Sequence, residues 1–318
     1  MMLGHALLAF AVVALLADRA GWEPRRAATL GIVAGAFAAV PDADMVYAVT
    51  GLVGTDVNSV FDASESFWGA STAVHRTMTH SLVVAVPAAA GFTAFAVRSR
   101  RRLAAAVGAT GLVGLVAVAH VASGSLGALI VAAFVVTGVA VALATRRYTD
   151  VPAGATFGAA LFGLVSHPFG DVVTGEPPAL LYPLDVRVLD GRVALHGDAT
   201  LHLLGAFAIE LAVVWLALYA VARLRDRKLL DRVHPAASLG VAYAGAIALF
   251  PPPTLSLSYP FVFSILGVGT TLGAPGWVRG DAPGVLPADR DRLWGWAVTA
   301  TAAVTLALGA YAVGYLLF

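Results

Sequence analysis

The stretch LAAAVGATGLVGLVAVAHVA at residues 103–122, followed after Ser123-Gly124-Ser125 by LGALIVAAFVVTGVAVALAT at 126–145, decides the fold class. Neither run contains Asp, Glu, Lys or Arg, and each has the ~20 apolar residues that a helix needs to cross the hydrocarbon core of a bilayer. Working outward, further runs free of these charges lie at approximately 3–17, 27–40, 81–97, 153–165, 236–250, 255–278 and 293–318. A tenth, 201–222, is interrupted only by His202 and Glu210. The pattern predicts an all-α, polytopic membrane protein with about eight to ten transmembrane helices, the shorter runs being tilted, half-inserted or extended into their loops.

Composition agrees. Hydrophobic residues make up 59% of the 318-residue chain and charged residues 12%, against roughly 25% charged in a soluble globular domain. A mean hydropathy of +0.83 is too high for one soluble core, so apolar surface must face lipid. The absence of cysteine excludes disulfides and thiolate metal sites. A net charge of +1 says nothing about nucleic acid, and no nucleic-acid partner is indicated by the sequence.

Loop charge sets an expected orientation. Seventeen of the 20 Lys and Arg residues fall in the loops after the first, third, fifth, seventh and ninth segments; the other face holds only Arg76, Arg187 and Arg192. Basic residues favour cytoplasmic loops. The chain is therefore expected in the cell membrane with its amino terminus and its two long loops, 41–80 and 166–200, outside. The first seventeen residues lack a basic amino-terminal region and read as an uncleaved helix, not a signal peptide.

Seven of the eight histidines fall on that outer side, with PDAD at 41–44, HRTMTH at 75–80 and SHPFGD at 166–171. Ionisable groups at the edge of a hydrocarbon layer are costly and mark functional sites, and His with carboxylate is a common ligand set for zinc and similar divalent metals. His167 and Asp171, four apart, share a helix face, with Pro168 expected in the first turn of that helix. Asp42 and Asp44 follow Pro41; in an extended chain they would point the same way and repel unless a cation or proton lies between them. One of the two also suits a helix cap. His75 and His80 are five apart, about 140° around a helix, so His75 is expected in the loop and His80 in the first turn of the helix at 81–97. His5 joins the candidate ligands, while His120, His196 and His202 read as structural and Glu210 as a group orienting a ligand.

These motifs, taken in order, carry a family resemblance. Gly4-His5, P-D-x-D at 41–44, H-R-x-x-T-H-S at 75–81 and S-H-x-x-x-D-x-x-T at 166–174, then an apolar stretch ending in Pro183, resemble the LexA-regulated, membrane-bound metal-dependent hydrolases. Met45 stands where that family often has a histidine. The similarity runs from about residue 4 to 210, dividing the chain into a hydrolase-like membrane domain at 1–222 and additional helices at 223–318. The order of His, Asp, His and H-x-x-x-D is more weakly similar to the ligand order of zinc-dependent phospholipases C. That likeness implies a divalent metal site, zinc or else manganese, built from His5, Asp42, one of His75 or His80, His167 and Asp171.

The expected function is an integral-membrane metal-dependent hydrolase acting on a phosphoester or lipid-linked substrate at the outer membrane boundary. In it Asp44, if not itself a ligand, serves as base and Arg76 stabilises anionic charge. The alternative is a divalent cation transporter using the same ligands, which should place charged or broken helices near mid-bilayer.

Overall fold

A computed structural model describes residues 2–53, 60–71, 76–274 and 290–317. Every described element is helical. The chain forms two compact units, residues 1–192 and 193–318. The apolar segment 201–222, grouped by sequence with the motif-bearing segments, packs within the second unit.

In the first unit, α1 (Met2–Arg19) and α2 (Pro24–Ala38) form a hairpin turned at Gly21, whose φ of 81° suits glycine. Glu23 caps α2 by accepting from the backbone N–H of Arg25 and Arg26. The two helices approach until a Cβ on Gly31 or Gly35 would lie 2.7 Å from a carbonyl oxygen of α1. A 3-10 segment, Pro41–Leu52, follows, bent by 43° from α2, and then α3 (Val60–Ser71). Residues 41–52 are thus helical, not extended, and the long loop at 41–80 is largely built of helix.

Next come α4 (Leu82–Ala96), α5 (Arg101–Tyr148) and α6 (Ala153–Asp171). The 48 residues of α5 are not one rod, because Gly124 breaks them with φ 69° and ψ −165°. Gly91 of α4 lies against Leu112, while its neighbour Phe92 touches Phe134, at 5.4 Å between ring centroids, and Gly138. In a straight helix residues 112 and 138 would be about 39 Å apart. The chain therefore folds back at Gly124 into a hairpin of two long arms, matching the two apolar runs read from the sequence. Helix α6 packs on α2 through Gly163, where a Cβ would meet Ala34 O and Ala38 N at 2.7 Å.

The second unit holds α7 (Ala199–Leu224), a 3-10 segment at Pro235–Ala248, α8 (Tyr259–Gly273) and α9 (Arg290–Leu317). Its core gathers Leu204, Tyr243, Phe261, Ile265, Leu308 and Tyr311. Asp198 caps α7 through Leu201 N–H at 2.8 Å.

Each of the ten apolar segments is helical over most of its described residues. Among the described residues three helices are long and apolar enough to cross a membrane: α5, α7 and residues 291–317. The bent pair of α2 and Pro41–Leu52 makes a fourth if it is one span. Here α5 is counted once although its two arms make two apolar runs, and Leu82–Ala96, Pro235–Ala248 and Tyr259–Gly273 are apolar but shorter. A 15-residue helix such as α4 rises about 22 Å, short of a hydrocarbon core of about 30 Å.

Candidate metal centre

Four elements of the first unit bring their ends together. Helix α1 supplies His5, the 3-10 segment after α2 supplies Asp42 and Asp44, the turn before α4 supplies Arg76, Thr79 and His80, and the last turns of α6 supply His167 and Asp171. His5, Asp42, Asp44, His80, His167 and Asp171 are all buried. His75 lies outside the described residues.

The side chains meet edge to edge. His80 Nε2 is 3.0 Å from His167 Nε2 and 3.2 Å from Asp171 Oδ2. His167 Nε2 is 3.5 Å from Asp42 Oδ1 and 3.7 Å from Asp171 Oδ2. His5 Nε2 lies 3.3 Å from the other oxygen of Asp171, its ring tilted over that of His167 at 4.0 Å. Gly170 makes room for it, since a Cβ there would lie 2.3 Å from His5 Cε1.

The opposite edges of the imidazoles fix their tautomers. His167 Nδ1 is 2.6 Å from the carbonyl oxygen of Ala38, which can only accept, so Nδ1 carries the proton and Nε2 of the neutral ring a lone pair. Thr79 Oγ1 donates to Asp44 Oδ2 at 2.8 Å and lies 2.9 Å from His80 Nδ1, so it accepts from that nitrogen. Burial pushes the His80 imidazole below the usual histidine range, ahead of the opposing pull of Asp171. With Nδ1 donating to Thr79, Nε2 of the neutral ring carries a lone pair. Two lone pairs and the carboxylates of Asp42 and Asp171 then face one another, which only a shared proton or a cation reconciles. Asp42 Oδ2 and Asp171 Oδ2 are buried without a hydrogen-bond donor among the described residues. Two overlapping sets, His5 with His167 and Asp171, and Asp42 with His80 and His167, place their ligand atoms within 4.8 Å of one another. These buried groups can hold a metal ion.

Several expectations change. Asp42 and Asp44 do not point the same way: Asp42 faces the cluster, and Asp44 stands behind His80, 3.6 Å from Nδ1. His80 precedes α4, whose cap is Ser81, accepting from the N–H of Val83 and Val84 and donating to the Tyr182 carbonyl at 2.6 Å. Pro168 lies near the end of α6, not in its first turn. Arg76, expected to meet substrate, is already engaged. Its NH1 contacts the carbonyls of Asp171 and Glu176, and its NH2 contacts Asp171 Oδ1 at 3.3 Å and Thr174 Oγ1 at 3.2 Å. Only its buried Nε has no partner among the described residues. The residue holds this posture with a left-handed backbone, φ 67°, and a Cβ on Gly175 would strike its NH1.

Sequence reasoning did not assign Thr79, Ser81, Gly170 or Thr174, although all four stand inside the quoted motifs. Of the other histidines, His202 Nδ1 accepts from Leu195 N–H at 3.1 Å, and His196 Nδ1 from Asp198 N–H at 2.9 Å, each a structural contact in the second unit. His120 is exposed, and Glu210 lies half-buried on α7.

Fold and site together define a helical membrane protein with a buried His/Asp centre at the ends of its helices. Residues 1–243 match the model of the YdjM inner membrane protein family, and the chain belongs to that family. The match agrees with the membrane-bound part of the resemblance read from the motifs. No curated protein and no solved structure matches the chain.

Proposed function

We propose that this protein is an integral-membrane, metal-dependent hydrolase that cleaves a phosphoester or lipid-linked substrate at the outer membrane boundary. The observation that carries the reading is the convergence of His80 Nε2, His167 Nε2, Asp42 Oδ1 and Asp171 Oδ2. A tetrahedral zinc with bonds of about 2.0–2.1 Å keeps its ligand atoms about 3.3–3.4 Å apart; the four neighbouring separations here, 3.0, 3.2, 3.5 and 3.7 Å, lie around that value, within two overlapping sets of three ligands that share His167. Zinc is therefore the favoured ion and manganese the second. His5 adds a donor from α1 and holds the far oxygen of Asp171.

A divalent ion in this place supplies Lewis acidity, lowering the pKa of water and drawing charge from a phosphoryl group. The chain's own part is positioning and proton transfer. Asp42 Oδ2, one of two carboxylate oxygens without a donor among the described residues, takes the proton of the attacking water, the role first expected of Asp44. Asp44 and Thr79 keep His80 in its tautomer, and Arg76 keeps Asp171 and the 171–176 turn in place.

The centre lies where α2 and α6 end and α4 begins, and such a boundary location favours an enzyme over a transporter with a midplane site. The test is turnover of a short-chain phospholipid or bis-aryl phosphodiester by purified protein. Chelator should abolish it and zinc or manganese restore it. Failure to cleave any phosphoester under any metal, with movement of that metal into liposomes, would replace the hydrolase by the transporter.

A further inference from the structure

At the opposite end of the first unit, a cleft of about 700 Å³ opens between the end of α4, the start of α5 and the start of α6. It exists because Ala94, Ala104 and Gly154 line it with almost no side chain, while Val97, Leu103 and Phe157 form apolar walls. Its volume is that of a ligand pocket. Its mouth carries Arg100, followed by Arg101 and Arg102, all exposed. None of these three arginines has an acidic partner among the described residues, whereas neighbouring Arg98 reaches Asp150 and the Thr149 carbonyl. An apolar slot lined at one side by Arg100, with Arg101 and Arg102 next to it in the chain, has the chemistry of a lipid tail below an anionic headgroup.

We propose that this cleft binds one anionic phospholipid, with an acyl chain against Val97, Leu103 and Phe157 and the headgroup phosphate at Arg100, Arg101 and Arg102. The site is separate from the metal centre and does not rest on the hydrolase reading. It ties the basic end of the unit to the leaflet it faces. A zwitterionic lipid would gain only the tail contacts, and a soluble phosphate only the arginines.

The test uses the full chain in detergent, delipidated and then incubated with phosphatidylglycerol or phosphatidylcholine of identical chains, with retained lipid counted by native mass spectrometry. About one phosphatidylglycerol per chain should be retained, in clear preference to phosphatidylcholine. Replacing Arg100, Arg101 and Arg102 by Gln should erase that preference, by roughly fivefold in affinity for each arginine removed. A second variant, Gly154→Trp, fills the cleft from a position where an added Cβ meets nothing within 4 Å, and should abolish retention of both lipids at an unchanged melting temperature. Equal retention of the two lipids by the wild type would overturn the proposal. So would phosphatidylglycerol retention that survives both variants, or displacement of the lipid by millimolar inorganic phosphate.

Discussion

Replacing Asp44 separates a residue that orients a ligand from one that is a ligand. Its carboxylate accepts from Thr79 Oγ1 at 2.8 Å and lies 3.6 Å from His80 Nδ1, so it polarises a chain that ends at the Nε2 lone pair. In Asp44→Asn the amide oxygen can keep the Thr79 bond, but the charge assistance, about half the strength of such a bond, is lost. In Asp44→Leu the Thr79 hydroxyl loses the carboxylate it donates to, and the Nδ1–H keeps only an unpolarised Thr79 oxygen. Changes to a carboxylate behind a ligating histidine weaken metal binding by about 10- to 100-fold, or about 1.4–2.8 kcal/mol at 1.4 kcal/mol per tenfold. The Asn variant should fall near the lower figure and the Leu variant near the upper. Competition against a chromophoric chelator, with purified protein in detergent, measures both. Unchanged affinity in Asp44→Leu would refute the relay through Thr79. Complete loss in Asp44→Asn, equal to that in His167→Ala, would make Asp44 a direct ligand.

Three further outcomes are expected. Gly170→Ala pushes a methyl into the His5 ring and should cost about 1–3 kcal/mol in thermal unfolding, with most of the loss recovered when His5→Ala is added. A cysteine at exposed Asp185 should react with an impermeant thiol reagent outside intact cells and one at exposed Ser99 should not; the chain has no native cysteine, and the reverse pattern would invert the orientation. Asp198→Ala should lower the melting temperature at neutral pH. The capping bond from Leu201 N–H holds the Asp198 carboxyl below the usual carboxylate range, so its contribution is present above that range and fades as pH falls below about 4.

The helices were legible because uncharged runs of apolar residues have few other places to go, and the hairpin of α5 showed itself as two runs parted by Ser123-Gly124-Ser125. Helices within residues 41–71 were hidden, since that stretch mixes acids, glycines and aromatics without an apolar run long enough to announce them. The site residues were legible as residue types: His5, Asp42, His80, His167 and Asp171 do converge. Their roles were not. The direction of Asp44 depends on a 3-10 turn that the motif PDAD does not specify, and Arg76 is committed by Thr174 and Glu176, which lie about a hundred residues away in sequence. Gly170 and Gly175 carry no chemistry, so their task of leaving space for His5 and Arg76 appears only once the neighbours are in place.

The central claim is that the buried His/Asp cluster holds a divalent metal. Elemental analysis of the full chain, purified in detergent after growth with zinc and manganese, tests it most directly. The wild type and His234→Ala, which changes a histidine that caps the 3-10 segment of the second unit, should each carry a bound divalent ion, and His80→Ala, His167→Ala and Asp171→Ala should each lose it. Equal metal content across all five proteins, or none in the wild type, would contradict the account.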